Sequence, residues 1–157
     1  MRRMMIAAAA LLALGGAAAV QAGKADPLAE LAGYYPRTWQ SGDVSGAKFD
    51  VTDEVIITPV DGQSADVSFA LNFFNGHTCD LQGRAVMQGR KLVFTDPDGW
   101  QGKACRLEIW RQGKDLRWSD RDNGCHSYCG MRGSFTNGKV ALKLRQPLAN
   151  APKRHSD

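Results

Sequence analysis

Apolar and polar residues alternate strictly between positions 66 and 73. Val67, Phe69, Leu71 and Phe73 fall on every second position, and the residues between them are polar or small. A period of two is typical of a β-strand that buries one face and exposes the other. This stretch therefore predicts a half-buried strand, and it restricts the chain to folds that contain a β-sheet core.

Comparable short apolar patterns recur along the chain and are separated by turn residues. Asn137-Gly138 favours a type I′ hairpin turn, and Asp26-Pro27 predicts the start of a short helix that Gly33 ends. The predicted strands lie around residues 55–60, 66–73, 79–87, 91–95, 105–110, 116–119, 133–136 and 140–144. The sequence thus predicts an all-β fold, an antiparallel meander of seven or eight strands forming a small barrel or sandwich, preceded by a short N-terminal helix.

The first 22 residues have the organisation of a secretory signal peptide. Arg2 and Arg3 precede the apolar run Met4 to Leu14, and small residues follow up to Ala22. The run is too short to span a bilayer, and no later apolar run reaches the length of about 18 residues that a spanning helix needs. We therefore expect a periplasmic or secreted protein that has no transmembrane segment.

These features divide the chain into three parts. We expect the signal peptide at 1–22, a single β domain at 23–145 and a flexible tail at 146–157, where prolines and a basic cluster follow the last strand. The mature domain is expected to be a monomer.

The charge pattern argues against nucleic acid as a partner. The formal charge of +4 includes Arg2 and Arg3, so +2 remains after the signal peptide. Bases and acids are interleaved, as in Lys114-Asp115-Leu116-Arg117. A chain that binds a phosphate backbone needs a concentrated basic surface, and no block of like charge provides one here.

The four cysteines predict two disulfides. Cys79, Cys105, Cys125 and Cys129 form an even set in a chain with an export signal. Only Cys125 and Cys129 are close in sequence, whereas structural zinc sites usually contain two close pairs. We therefore expect oxidised cysteines and no metal site.

A meander would bring all four cysteines to one rim of the barrel, together with two long loops predicted at 96–104 and 120–131. Strand starts that are two strands apart lie about 10 Å from each other, and a disulfide requires Cα atoms within about 7 Å. If the 96–104 loop moves Cys105 beyond the sheet edge, the favoured pairs are Cys79–Cys105 and Cys125–Cys129. The next alternative is Cys105–Cys125 with Cys79–Cys129.

Functional residues are expected on these rim loops, because long loops on a rigid frame commonly carry function. Aromatic residues and arginine are favoured at protein interfaces, and on that basis we take Trp100, His126, Tyr128 and Arg132 as candidates for partner binding.

A catalytic alternative would combine His126 or His77 with an aspartate and with Ser127 or Ser134. The sequence has no nucleophile elbow, no HExxH and no phosphate-binding glycine loop. We therefore predict no catalytic residues and no cofactor.

Two resemblances bear on function. Cys79-Asp-Leu-Gln-Gly and Cys125-His-Ser-Tyr-Cys129-Gly-Met-Arg132-Gly-Ser-Phe135 resemble segments of small exported bacterial proteins that share a CxxxCGxRGxF pattern and have no assigned activity. In size, export signal and inferred barrel, the chain is also similar to periplasmic lysozyme inhibitors. This resemblance implies that a rim loop plugs an enzyme cleft. Those inhibitors use a Ser-Gly-x-x-Tyr-like motif, where this chain has Gly133-Ser134-Phe135.

Three hypotheses follow. The first is an exported cell-envelope binding module, an inhibitor or immunity-type protein, whose disulfide-braced rim contacts a protein partner. The second is a barrel that holds a small apolar ligand, lined by Phe69, Phe73, Leu81, Phe94, Leu107 and Trp118. The third is a hydrolase at the same rim.

Overall fold

Eight strands pair in chain order, each antiparallel to the next, in a sheet that curls into a nearly closed barrel. The computed structural model describes residues 26–153. The elements are α1 (Pro27–Leu31), β1 (Gly33–Gly42), β2 (Lys48–Pro59), β3 (Ser64–Asn72), β4 (Thr78–Gln88), β5 (Lys91–Trp100), β6 (Lys103–Gln112), β7 (Asp115–Ser119) and β8 (Gly138–Ala141). Short 3₁₀ turns lie at Phe74–Gly76, Gly124–Tyr128, Leu142–Leu144 and Leu148–Asn150.

This architecture confirms the predicted all-β meander and the short helix near the N-terminus, and it selects the barrel over the sandwich. The predicted signal peptide at 1–22 and residues 154–157 of the predicted tail lie outside the described residues. Within residues 26–153, no helix combines the length and the apolar composition needed to cross a membrane.

The barrel has two different ends. Odd-numbered strands run towards one end, and the loops there are residues 43–47, 73–77, 101–102 and 120–137. We call this end the disulfide rim, because all four cysteines lie there. The opposite end, the base, has the tight turns that follow β2, β4 and β6, together with α1 and the C-terminal segment. The expectation that the cysteines share one rim is therefore confirmed.

Helix α1 packs its apolar face into the core at the base. Leu28 and Leu31 are buried in the same cluster as the barrel interior. Asp26 caps the helix by accepting a hydrogen bond from the Leu28 N–H at 3.0 Å, and the Tyr35 hydroxyl donates to the Leu31 carbonyl at 2.8 Å. Because both helix ends are satisfied, a helix of five residues is stable as a plug for the barrel.

The seam between β1 and β8 is joined by side chains and by the C-terminal segment. Arg37 of β1 donates to the Lys139 carbonyl of β8 at 3.4 Å, and it forms an ion pair with the buried carboxylate of Asp53. Nearer the base, Tyr34 and Gln146 exchange two backbone hydrogen bonds of 3.1 and 2.7 Å. The flexibility predicted for the tail stays a prediction, and Gln146, its first residue, is paired with β1.

Asp53 is the hub of this seam. Its carboxylate also accepts hydrogen bonds from the Trp39 indole N–H at 3.0 Å and from the Asn72 backbone N–H at 2.7 Å. A buried charge is tolerated only when it is paired and hydrogen-bonded, and here several donors satisfy it. The network therefore fixes the parts of β1, β2 and β3 nearer the disulfide rim relative to one another.

Three local predictions are wrong. Residues 96–104 are not a loop, because β5 and β6 continue past Asp96 to a tight turn at Gln101-Gly102. Both turn residues have positive φ, 52° and 75°, as a type I′ turn requires. The ladder accommodates the sequence through a bulge, in which residues 97–99 lie opposite a single residue of β6.

The segment 133–136 is not a strand, so Asn137-Gly138 does not join two strands of a hairpin. Phe135 leaves the sheet pattern because its ring packs edge-on against Phe69, with centroids 5.8 Å apart, and fills the core below the disulfide rim. The same turn instead leads the chain into β8, which pairs with β7. An added Cβ at Gly138 would lie 2.0 Å from the Trp118 ring, so the glycine is needed for close packing. Leu142 and Leu144, predicted in a strand, lie in a 3₁₀ turn.

Candidate binding surface at the disulfide rim

Two disulfides attach the rim segment 120–137 to the barrel. The bonds are Cys79–Cys129, with Cα atoms 4.0 Å apart, and Cys105–Cys125, with Cα atoms 4.2 Å apart. The favoured pairing from the sequence, Cys79–Cys105 with Cys125–Cys129, is therefore wrong, and the alternative pairing is correct. Cys79 and Cys105 stay in their strands with β5 between them, so neither can reach the other. The 3₁₀ turn at Gly124–Tyr128 instead crosses the end of β5. Cys125, within the turn, bonds to Cys105 of β6, and Cys129, directly after it, bonds to Cys79 of β4.

Backbone contacts fix this segment further. The buried Asp120 carboxylate accepts a hydrogen bond from the Cys125 N–H at 2.7 Å, and the Gly130 N–H donates to the Thr78 carbonyl at 2.7 Å. Gly124 lies directly against β6, where an added Cβ would be 2.1 Å from the Ala104 carbonyl oxygen. The rim segment is thus held by disulfides, by hydrogen bonds and by close backbone approach.

Trp100 and His126 form the first contact between predicted candidates. Trp100 ends β5 at the tip of the β5–β6 hairpin, and its side chain is 40% exposed. The two rings meet edge-to-face with centroids 5.1 Å apart. The His126 Nδ1 atom is shielded from solvent and has no hydrogen-bond partner within the described residues. The pair presents two aromatic rings at the rim.

Tyr128 is an anchor more than an exposed contact. Its hydroxyl donates to the Asp96 carboxylate at 2.6 Å, and its ring packs edge-on against Phe94 with centroids 5.9 Å apart. Burial, followed by the hydrogen bond to Asp96, raises the pKa of Tyr128 to about 12. The same hydrogen bond lowers the pKa of Asp96 below its usual range. Tyr128 therefore ties the rim segment to β5 in its neutral form.

Arg132 lies in an exposed turn after the second disulfide. Its side chain makes no hydrogen bond or ion pair with any residue of the described part of the chain. Neighbouring Met131 is 83% exposed. Both side chains are thus available to a partner. Among the four candidates, a ring contact joins Trp100 to His126.

The sequence did not identify most of the apolar surface at this end. Large exposed hydrophobic side chains concentrate at the disulfide rim, with two others elsewhere, Val60 and Val86. Those at the rim are Val44, Phe49, Phe74, Trp100 and Met131. Exposed hydrophobic side chains gathered at one end of a fold are common at interaction sites.

Part of this surface lies on an overhanging ribbon. β2 pairs with β3 only from Glu54 to Pro59, whereas its pairing with β1 continues to Lys48. Phe49 lies on this extension, and Phe74 lies close to Gly42 on the other strand of the ribbon. The alternation in the sequence could not show where pairing with β3 stops, and so could not show that Phe49 is exposed.

The geometry does not support the hydrolase hypothesis. Neither His77 nor His126 makes a side-chain hydrogen bond to any residue among 26–153, so the contact between histidine and hydroxyl that general-base catalysis needs is missing there. Across the same residues, no three metal-binding side chains converge on one point.

The barrel interior is occupied by its own side chains. Phe69 packs edge-to-face against Trp118, with ring centroids 5.3 Å apart, and against Phe135. Phe69, Leu81, Phe94, Leu107 and Trp118, which were predicted to line a ligand cavity, are buried in one core cluster, and Phe73 packs against it. This packing favours the binding-module hypothesis over the apolar-ligand hypothesis.

The chain matches no protein-family model, no curated protein and no solved structure.

Proposed function

We propose that this protein is an exported binding module of the cell envelope, which acts as a monomer through its disulfide rim on a protein partner. The two disulfides suggest an oxidising environment outside the cytoplasm. A periplasmic or secreted location is part of the proposal. So is the class of action, that of an inhibitor or an immunity-type protein.

The observation that supports the proposal most is the position of the exposed hydrophobic side chains. Trp100 lies on the β5–β6 hairpin and Met131 lies on the rim segment, and both are exposed. The disulfide Cys105–Cys125 joins these two parts of the rim. Tryptophan is enriched among the residues that dominate interface energetics. A barrel without a partner has no evident need to expose these groups at one end.

Rigidity supports the same conclusion. An interface that is already ordered in the free protein loses little conformational entropy on binding. Here Tyr128 is hydrogen-bonded to Asp96 at 2.6 Å, and Cys125 is held both by its disulfide and by Asp120. The β5–β6 hairpin and the rim segment therefore present Trp100 and His126 in a fixed arrangement.

The proposal is tested by site-specific photocrosslinking in intact cells. A photoreactive amino acid replaces Trp100 in one variant and Val86, which is 47% exposed on the barrel wall, in the control. We expect one dominant protein adduct from position 100 and none from position 86. Adducts of equal yield from both positions, or none from either, would contradict the proposal.

The identified partner then allows a quantitative test. The double variant Trp100→Ala/Met131→Ala should weaken binding at least about tenfold. The reason is that removing a tryptophan that is buried in an interface commonly costs about 2 kcal/mol or more. Val86→Ala is the matched control and should change affinity by less than about twofold. If the partner is a peptidoglycan hydrolase, its inhibition should follow the same order.

A further inference from the structure

A second surface, separate from the disulfide rim, lies on the outer wall of β5 to β8. Ile109, Trp118 and Val140 are buried on the inner side of their strands, so their chain neighbours Trp110, Arg117 and Lys139 face outwards. In the register of the sheet Trp110 pairs with Arg117, and Arg117 pairs with Lys139. These residues therefore form a row across three neighbouring strands.

Lys91 extends the row to β5. Its Nζ atom lies 5.2 Å from the centroid of the Trp110 ring, in a cation–π contact. From β5 to β8 the row crosses three strand intervals, which correspond to about 14 Å. From β5 to β8 the row consists of a cation, an aromatic ring and two further cations.

The rest of this face is also basic. Glu108 accepts a hydrogen bond from Lys91 at 2.6 Å and lies 3.4 Å from Arg106. The hydrogen bond from Lys91, with the nearby charges of Arg106 and Arg121, lowers the pKa of Glu108. The basic residues of the face are Lys91, Arg106, Arg117 and Lys139, and the acidic ones are Glu108 and Asp115.

Two features of the row are unfavourable in the free protein. Arg117 and Lys139 lie directly opposite each other on adjacent strands, and like charges in this arrangement destabilise a sheet. In addition, the Arg117 Nε–H is shielded from solvent without a hydrogen-bond partner among residues 26–153, and such unsatisfied donors are rare and call for an explanation. A bound anion would relieve the repulsion between Arg117 and Lys139.

We propose that this face binds an anionic polysaccharide. Guanidinium and ammonium groups at Arg117 and Lys139 would pair with sulfate, phosphate or carboxylate groups. The partly exposed Trp110 ring would stack on the C–H face of a sugar. We call the row Lys91, Trp110, Arg117 and Lys139 the glycan row.

Charge and shape favour a polysaccharide over other polyanions. Trp110 is only partly exposed and is flanked by Lys91 and Arg117, an arrangement that suits contact with a charged sugar chain better than insertion into a bilayer. The disulfides suggest a compartment outside the cytoplasm, where charged glycans are abundant and nucleic acids are not. This inference is independent of the disulfide rim, and either can fail without the other.

The test uses a heparin dodecasaccharide as the probe and isothermal titration calorimetry at several salt concentrations. The variant Arg117→Gln/Lys139→Gln should lose at least about tenfold in affinity, and the dependence of log K on log salt should flatten by about two. The matched control Lys48→Gln/Lys103→Gln removes two exposed charges at the disulfide rim and should change affinity by less than about twofold. Because Arg117→Gln/Lys139→Gln removes a like-charge pair, its melting temperature should not fall.

Trp110→Ala separates stacking from charge. It should weaken binding at least about fivefold with an unchanged salt dependence, because no charge is removed. Any of four results would overturn the proposal. The first two are no binding by the unaltered protein at about 50 mM salt and equal losses in the two charge variants. The others are no loss in Trp110→Ala and equal competition by anionic phospholipid vesicles or duplex DNA.

Discussion

Replacing Gly124 with alanine tests whether the rim segment is held against the barrel as closely as the structure shows. An added Cβ at this position would lie 2.1 Å from the Ala104 carbonyl oxygen and 3.1 Å from the Cys105 nitrogen. Both neighbours are backbone atoms of β6, which cannot rotate away as a flexible side chain could. The strand or the rim segment would have to move by about 1 Å to restore even a tight contact of about 3 Å.

The magnitude follows from two opposing effects. Overpacking in a close contact typically costs about 1–3 kcal/mol, whereas Gly→Ala at an unstrained position gains about 0.4–1 kcal/mol by restricting the unfolded chain. Gly62, in the turn after β2, has no atom within 4 Å of the position of an added Cβ and is not in the left-handed region. Gly62→Ala is therefore the matched control. We expect Gly124→Ala to be less stable than Gly62→Ala by at least about 1.5 kcal/mol.

Urea denaturation measures this difference, and amide hydrogen exchange locates it. The Cys125 N–H, which donates to Asp120 at 2.7 Å, should exchange faster in Gly124→Ala and at an unchanged rate in Gly62→Ala. Equal stability of the two variants within about 0.5 kcal/mol would refute the reasoning, because it would mean that the rim segment is not packed against β6.

Further predictions concern titration and the seam. NMR titration of labelled tyrosine should place the pKa of Tyr128 at about 12, and Asp96→Asn should lower it while leaving it above 10.0, the ordinary value, because burial is the larger cause. The raised pKa of Tyr128 contributes stability below about pH 10 that is lost as pH rises through about 12. The lowered pKa of Asp96 contributes stability above its ordinary value that is lost at lower pH. Urea denaturation across pH should show the alkaline loss disappearing in Tyr128→Phe and the acid loss shrinking, because the backbone hydrogen bond from Asp98 to Asp96 remains. Asp53→Ala leaves several donors of the seam unsatisfied and should cost about 3 kcal/mol, whereas exposed Asp50→Ala should cost less than about 0.5 kcal/mol; equal denaturation midpoints would contradict the hub role of Asp53.

The sequence was sufficient to predict an all-β antiparallel meander because its strands alternate clearly, but it left barrel and sandwich open. Val67, Phe69 and Leu71 are all buried, as their spacing indicated. Turn residues gave weaker predictions. Pro97-Asp98-Gly99 has the composition of a loop but forms a bulge within a continuing hairpin, because the β5–β6 ladder resumes at Trp100.

The disulfide pairing required information that strand spacing does not contain. The distance between strand starts showed that Cys79 and Cys105 are far apart, but it could not show that residues 124–129 would cross β5 and supply a partner to each. Gly124 is what permits that crossing. In a single sequence, a glycine required for close approach looks the same as one in an ordinary turn.

Linear interleaving of charge also concealed the glycan row. Lys114-Asp115-Leu116-Arg117 looks balanced along the chain. In a strand, however, alternate residues face opposite sides, and cross-strand neighbours come from distant positions such as Arg117 and Lys139. The charge of one face of a sheet depends on register, which composition does not give.

The proposed binding surface depends on the covalent attachment of the rim segment to β4 and β6. A map of the disulfides tests this attachment most directly. Chymotryptic cleavage after Tyr128 separates Cys125 from Cys129, so mass spectrometry of the unreduced digest distinguishes the pairings. We predict one peptide pair joining Cys79 to Cys129 and a second joining Cys105 to Cys125. Peptides joining Cys125 to Cys129, or Cys79 to Cys105, would contradict the account.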